Sequence, residues 1–123
     1  MILVKIMSQD SNWEMGDRVD EVFKNIVIPV FETLINDYDA VGGYEVKIVS
    51  DGPLITGIEK YSSIMVRHPS GLEMIVCVYW VKNSERLIAE NILLITHNKS
   101  FDILSVTKEE LLSQVSFLSG LKV

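Results

Sequence analysis

The chain has 123 residues, of which 48% are hydrophobic and 23% are charged, and its net charge at pH 7 is −6. This composition excludes a disordered chain as the default and predicts one globular domain over residues 1–123. The negative charge argues against nucleic acid and anionic membranes as partners, and the single cysteine, which cannot form an internal disulfide, predicts a cytoplasmic protein.

The N-terminal third of the chain predicts a short strand and then a long helix. Residues 1–7 are mostly apolar and end before a run of polar residues. From Val19 to Tyr38 apolar residues recur three and four positions apart, which indicates an amphipathic helix. Pro29 lies inside this helix and cannot donate a backbone hydrogen bond, so we expect a bend there. Gly42-Gly43 should end the helix.

The rest of the chain predicts antiparallel strands and a short C-terminal helix. Strand signals separated by turn residues lie at 44–49, 61–68, 72–82, 85–97 and 101–106. Thr107 and Glu110 have the spacing of a capping box, which begins the last helix. We therefore predict an α+β fold: a four- to five-stranded antiparallel sheet with a long bent N-terminal helix on one face. This element order is similar to that of the cystatin-like and NTF2-like rolls, and the resemblance implies a fold only.

The run Leu72–Val81 holds one charged residue, Glu73, and therefore predicts a strand that is apolar on both faces. Short hairpin loops fix the register of the neighbouring strands, and side chains alternate between the faces. One face, which includes Leu72 and Leu93 and on which Trp80 lies opposite Leu87, is then almost wholly apolar and should carry the long helix. The opposite face, called the second face below, is mixed. Its predicted ligand or interface residues are Tyr61, Met65, Ile75, Cys77, Tyr79, Ile88, Glu90 and Ile92.

The second face predicts an association, because an apolar patch of this kind is unusual on a monomer. We expect a second copy, another protein, a small ligand or a curled edge of the same chain to cover it. Arg67 should lie opposite Glu73 at one end of this face, as a cross-strand ion pair that supports the register.

No catalytic, metal or nucleotide-binding motif is found in the sequence, so no cofactor and no metal are predicted. His68 and His97 should lie at the same rim of the sheet, but roughly 10 Å apart, too far to share a metal ion directly. Glu90 beside Cys77 is the sharper pair, because a carboxylate among apolar neighbours suits acid/base catalysis. Cys77 has no predicted histidine beside it, so we favour a structural role for the pair.

Acidic residues recur on one side of the N-terminal helix at the spacing i, i+4, i+7 and i+11. Negative charge is favourable near a helix N-terminus, and it also predicts a docking surface for a basic protein. The four residues of this acidic stripe are Asp10, Glu14, Asp17 and Glu21.

The predicted function is that of a small acidic, non-catalytic interaction protein. We expect a homodimer through the second face and, as an accessory or immunity-type factor, a basic protein partner. The alternative is a small-ligand-binding or enzymatic roll with a pocket around Glu90, Tyr79 and Cys77.

Overall fold

The computed structural model describes residues 15–52, 58–81, 84–93 and 99–120. These residues form a long N-terminal helix, a five-stranded antiparallel sheet and a short C-terminal helix, which confirms the predicted α+β class. The strand predicted for residues 1–7 lies outside the described residues. Helix α1 covers residues 15–41, and it is followed by β1 (Glu45–Val49), β2 (Ile58–Arg67), β3 (Glu73–Val81), β4 (Arg86–Asn91), β5 (Lys99–Asp102) and helix α2 (Lys108–Leu118).

Helix α1 departs from regular α-helical geometry at a π turn, Phe23–Val27. Ile28 donates its backbone N–H to the Phe23 carbonyl, which lies five residues back. Pro29 follows directly and has no N–H to donate to residue 25. Where the sequence predicts a bend at Pro29, the structure has this wide turn immediately before the proline.

The π turn keeps the apolar side of α1 on the core. In a regular α-helix two residues nine positions apart lie on opposite sides, because nine steps of about 100° make two and a half turns. Val22 and Phe31 are nine positions apart, and both are fully buried. The extra residue that the π turn accommodates rotates the second half of the helix, so that Phe31 faces the same core as Val22.

The sheet has the order β1-β2-β3-β4-β5, with every neighbouring pair antiparallel. Arg67 lies opposite Glu73, as predicted, and the Arg67 Nη2 to Glu73 Oε2 distance is 2.9 Å. Trp80 lies opposite Leu87 across the next hairpin, which confirms the predicted register there. The turn before β3 includes Gly71 with φ +92°, a conformation that favours glycine.

Strand β4 is shorter than predicted, since it ends at Asn91 rather than near residue 97. The Asn91 Oδ1 accepts a hydrogen bond from the Leu93 N–H at 3.0 Å, and the Asn91 Nδ2 donates to the Leu118 carbonyl at 2.9 Å. This side-chain turn ends the strand and ties it to the end of α2. Leu93, which was predicted to lie on the core face, is consequently exposed.

The last strand, predicted at 101–106, lies earlier in the chain at Lys99–Asp102. The Asp102 Oδ1 accepts a hydrogen bond from the Leu104 N–H at 2.9 Å, and the Asp102 carbonyl accepts one from Val106 at 2.9 Å. This turn takes the chain out of the sheet. Ile103 and Val106 remain buried because they pack into the core and not on a strand.

The core lies between the two helices and the inner face of the sheet. Leu72 was also predicted to lie in it but is exposed, because β3 begins only at Glu73. The predicted capping box of α2 is present, with the Thr107 hydroxyl accepting from the Glu110 N–H at 3.2 Å. The fully buried side chains of this core include Val22, Val27, Phe31, Leu34, Ile64, Val66, Val76, Val78, Leu87, Ala89, Ile103, Leu111 and Val115.

Candidate functional site

The middle of the second face is buried in the single chain. Met65, Ile75, Cys77 and Tyr79 are between 0 and 8% exposed. Towards the rim, Ile88, Glu90 and Ile92 are half-buried and Tyr61 is exposed. All eight predicted residues are therefore described, and they divide into a buried centre and an accessible border.

The antiparallel register brings the predicted polar pair together. Cys77 lies opposite Glu90 on β4 and opposite Ser63 on β2. Ile92 was predicted to lie on β4, but it stands in the turn after the strand, because the Asn91 side chain ends β4. The Ile92 N–H still donates to the Ile75 carbonyl at 3.0 Å, so Ile92 stays beside the second face.

Part of the cover of the second face comes from the segment after β1. The Tyr61 hydroxyl donates to the Ser50 carbonyl at 2.9 Å, and the Ser63 hydroxyl donates to the Asp51 carbonyl. Gly52 lies so close to the Tyr61 ring that a Cβ there would be 3.0 Å from it. The sequence left open whether a second copy, another protein, a small ligand or the same chain covers this face. These contacts come from the same chain.

The buried environment makes Cys77 a poor nucleophile. Burial raises the pKa of the Cys77 thiol to about 11; the hydrogen bond with Ser63 opposes this shift, and the charge of Glu90 adds to it. The thiol is therefore protonated at neutral pH, whereas nucleophilic cysteines need the thiolate. Burial, followed by the charge of Glu90, also raises the pKa of the Tyr79 phenol.

An open groove of about 320 Å³ lies at the other end of the sheet, beside Tyr44, Arg67 and His68. The sequence shows the two glycine- and proline-containing turns that form the walls of this groove. It does not show that the two turns lie next to each other. Arg67 is held by Glu45 at 2.6 Å and Glu73 at 2.9 Å, and the hydrogen bond with Glu73 raises the pKa of its guanidinium. Glu45 and Glu73 both pair with Arg67, so their negative charges balance the positive charge that the arginine brings to the groove.

The imidazole of His68 has a structural contact. Its Nε2 lies 3.2 Å from the Ser119 carbonyl, and its ring contacts the Tyr44 ring edge-on at 5.2 Å. The Tyr38 hydroxyl lies 2.8 Å from the Ser119 hydroxyl, so α1 and the residue that follows β2 both contact the end of α2. His97, the predicted rim partner of His68, lies outside the described residues.

The exposed side of α1 carries acidic residues near its N-terminal end and again in its C-terminal third. Asp17 and Glu21 of the predicted stripe are exposed on this helix, whereas Asp10 and Glu14 lie outside the described residues. Residues 15–41 hold six acidic and two basic residues, a net charge of −4. The exposed acidic residues, called the acidic side of α1 below, are Asp17, Asp20, Glu21, Glu32, Asp37 and Asp39.

Two basic residues contact the N-terminal part of this side. Arg18 lies 3.6 Å from Glu21, and Lys60 on β2 lies 3.4 Å from Asp20. Sequence reasoning missed Glu32, Asp37 and Asp39, although the helical pattern that places them outside was visible. These three residues do not continue the spacing of the predicted stripe, because the π turn changes the helical phase before them.

Within the described ranges, no three histidine, cysteine or acidic side chains are placed to hold a metal ion together. None of the helices found there has the length and apolar character needed to cross a membrane. Comparisons with models of known protein families, with curated proteins and with solved structures found no match.

Proposed function

We propose that the protein is a small, non-catalytic interaction protein that binds a basic protein partner through the acidic side of α1. The observation that carries the proposal is the charge of this helix, −4 over residues 15–41. From Asp17 to Asp39 the acidic side extends over about 33 Å, at 1.5 Å per residue. A surface of this length with a net negative charge attracts a partner of opposite charge and orients it during the encounter.

The acidic charge on α1 is only partly neutralised within the described part of the chain. Arg18 and Lys60 contact Glu21 and Asp20, near the start of the helix. No ion pair within the described residues involves Asp17, Glu32, Asp37 or Asp39. Lysine or arginine side chains of a partner would therefore meet carboxylates that need not first give up another ion pair.

The burial of the second face favours this proposal over an enzymatic or ligand-binding roll. A pocket around Glu90, Tyr79 and Cys77 would need access to the last two, which are 3% and 0% exposed. A thiol whose pKa is raised to about 11 is also unsuited to nucleophilic attack at neutral pH. These observations support a structural role for the Cys77–Glu90 pair.

The proposal also includes a location and a mode of self-association. A cytoplasmic location agrees with the only cysteine being a free, buried thiol. A homodimer through the second face would use the accessible border, Tyr61, Ile88 and Ile92, because the centre is already buried in one chain. An accessory or immunity-type factor that occupies a basic partner would have these properties.

The proposal is tested with a lysine-rich peptide as the probe, titrated against the protein by fluorescence anisotropy at low salt. Neutralising two acids of the acidic side, with Glu32→Gln plus Asp39→Asn, should weaken binding by about 2- to 30-fold. The matched control, Glu85→Gln plus Glu109→Gln, removes the same charge from exposed positions elsewhere. Equal losses in both pairs would mean that the peptide senses net charge alone, and the proposal would then be wrong.

A further inference from the structure

Strand β1 forms one edge of the sheet. Within the described residues β1 pairs with β2 alone, in an uninterrupted register from Glu45 to Val49. In an antiparallel pair, alternate residues direct their N–H and C=O groups away from the partner strand. The outer side of β1 therefore presents backbone groups that another strand can pair with.

Several features that protect edge strands are missing from β1. The strand has no proline and no bulge, whereas the β2–β3 pair contains a register shift near Ile58. Its apolar side chains are only partly covered, since Val46 is half-buried and Ile48 is 43% exposed. Lys47 is the one charged residue of the kind that commonly discourages edge pairing, and it lies two positions from Glu45.

The charges on the second-face side of β1 complete an alternating row across the sheet. Glu73 on β3 contacts Arg67 on β2 at 2.9 Å, and Arg67 contacts Glu45 on β1 at 2.6 Å. At the sheet edge Glu45 also lies 3.4 Å from Lys47 of its own strand, so the row ends in one acidic and one basic side chain. A strand that places a positive charge beside Glu45 and a negative charge beside Lys47 would match both.

A second copy of β1 supplies both charges in one register. When two antiparallel β1 strands meet with Val46 opposite Val46, Glu45 of each copy lies opposite Lys47 of the other. The inner-face side chains then place Tyr44 opposite Ile48 in both directions. A register centred on Lys47 instead puts two lysines together, which is unfavourable.

We propose that two copies of this chain pair through the edge of β1, antiparallel and about a two-fold axis at Val46, into one continuous sheet. The pairing satisfies the outer backbone groups of both edges and covers Ile48 of each copy. It leaves the acidic side of α1 and the border of the second face outside the strand pairing. This homodimer is independent of the proposed basic partner, so either proposal can fail without the other.

The first test is the mass of the full chain by light scattering at about 100 µM and low salt, where we expect twice the 13.9 kDa of one chain. Lys47→Glu replaces each cross-strand ion pair of the dimer with two facing carboxylates, at two symmetric positions, and should raise the dimer dissociation constant at least about tenfold. Lys108→Glu is the matched control, because it makes the same charge change at an exposed residue of α2. The control should keep the mass of the dimer.

The decisive test mixes two variants that should each be monomeric, Lys47→Glu and Glu45→Lys. In the mixture, the two acidic side chains at positions 45 and 47 of one variant lie opposite the two lysines at the same positions of the other. Heterodimers should therefore form. Circular dichroism checks that both variants are folded. The β1 proposal is wrong if the wild-type chain is monomeric at this concentration, if Lys47→Glu leaves the dimer intact, or if the mixture stays monomeric. A dimer that Ile88→Asp dissociates and Lys47→Glu does not would indicate the second face instead.

Discussion

The two faces of the sheet are buried to a similar depth at their centres, but their composition and their cover differ. Val76 and Val78 of β3 point to an apolar core that α1 and α2 complete. Cys77 and Tyr79 of the same strand point to the second face, beside Ser63 and Glu90. Alternation along a strand therefore decides which face a side chain occupies, whereas the course of the rest of the chain decides how deeply it is buried.

Truncating a side chain at the centre of the inner face should lower the free energy of unfolding most. This loss is the reference for a truncation on the second face. Phe31 is fully buried against the inner face, so Phe31→Ala should lower the free energy of unfolding by about 3–5 kcal/mol. Urea denaturation followed by circular dichroism measures this change. A loss below about 1 kcal/mol would contradict the packing of α1 described above.

Truncation on the second face tests whether that face is equally part of the fold. Met65 is 3% exposed in the single chain, and Met65→Ala should lower the free energy of unfolding by about 2–5 kcal/mol. Urea denaturation at a concentration where the chain is monomeric measures it. If a partner supplied the cover, the loss in the monomer would fall within about 0.5 kcal/mol of zero, as it does for an exposed side chain.

The buried thiol predicts a pH dependence that belongs to the second face. The unfolded thiol ionises near its ordinary pKa of 9.0, whereas the native thiol stays protonated up to about pH 11. The unfolded state therefore loses its proton first, and stability should fall by about 2 kcal/mol as the pH rises from 9 to 11. Cys77→Ala should show a shallower fall, with the remainder arising from Tyr38 and Tyr79, whose pKa values burial also raises. Identical pH profiles for both proteins would contradict the burial of the thiol.

Substitutions at the rim of the second face should change the stability of the fold least. Arg67 pairs with Glu45 and Glu73, but its side chain is 44% exposed and water screens the pairs. Arg67→Met should therefore change stability less than any central substitution, and about 0.5 M salt should remove most of the difference. An effect as large as that of Met65→Ala would mean that the rim is not a solvated border.

The elements that short-range rules determine could be predicted from the sequence. The Arg67–Glu73 and Trp80–Leu87 pairings follow from turn lengths, and the start of α2 follows from Thr107 and Glu110. The ends of β4 and β5 were misplaced, because a single Asn91 or Asp102 side chain closes a turn within an otherwise apolar run. Such residues do suggest turns, but the apolar periodicity continued past both of them.

The cover of the second face and the shape of α1 were harder to predict. Segment 50–52 reaches Tyr61 and Ser63 through backbone carbonyls, and backbone contacts leave no pattern in a sequence. The π turn had a signal, since Val22 and Phe31 are both apolar yet nine positions apart. Two apolar residues half a helical turn out of phase require either a wide apolar surface or an inserted residue, and only the structure distinguishes these cases.

The reactivity of Cys77 on dilution shows whether the same chain or a second copy covers the second face. A water-soluble disulfide reagent is added at pH 7 to a dilution series that spans dimer and monomer, and thiol release is followed by absorbance. If the same chain covers the face, labelling stays slow at every concentration and becomes fast only in denaturant. If a second copy supplies the cover, labelling accelerates as the protein is diluted, and cover by the same chain would then be wrong.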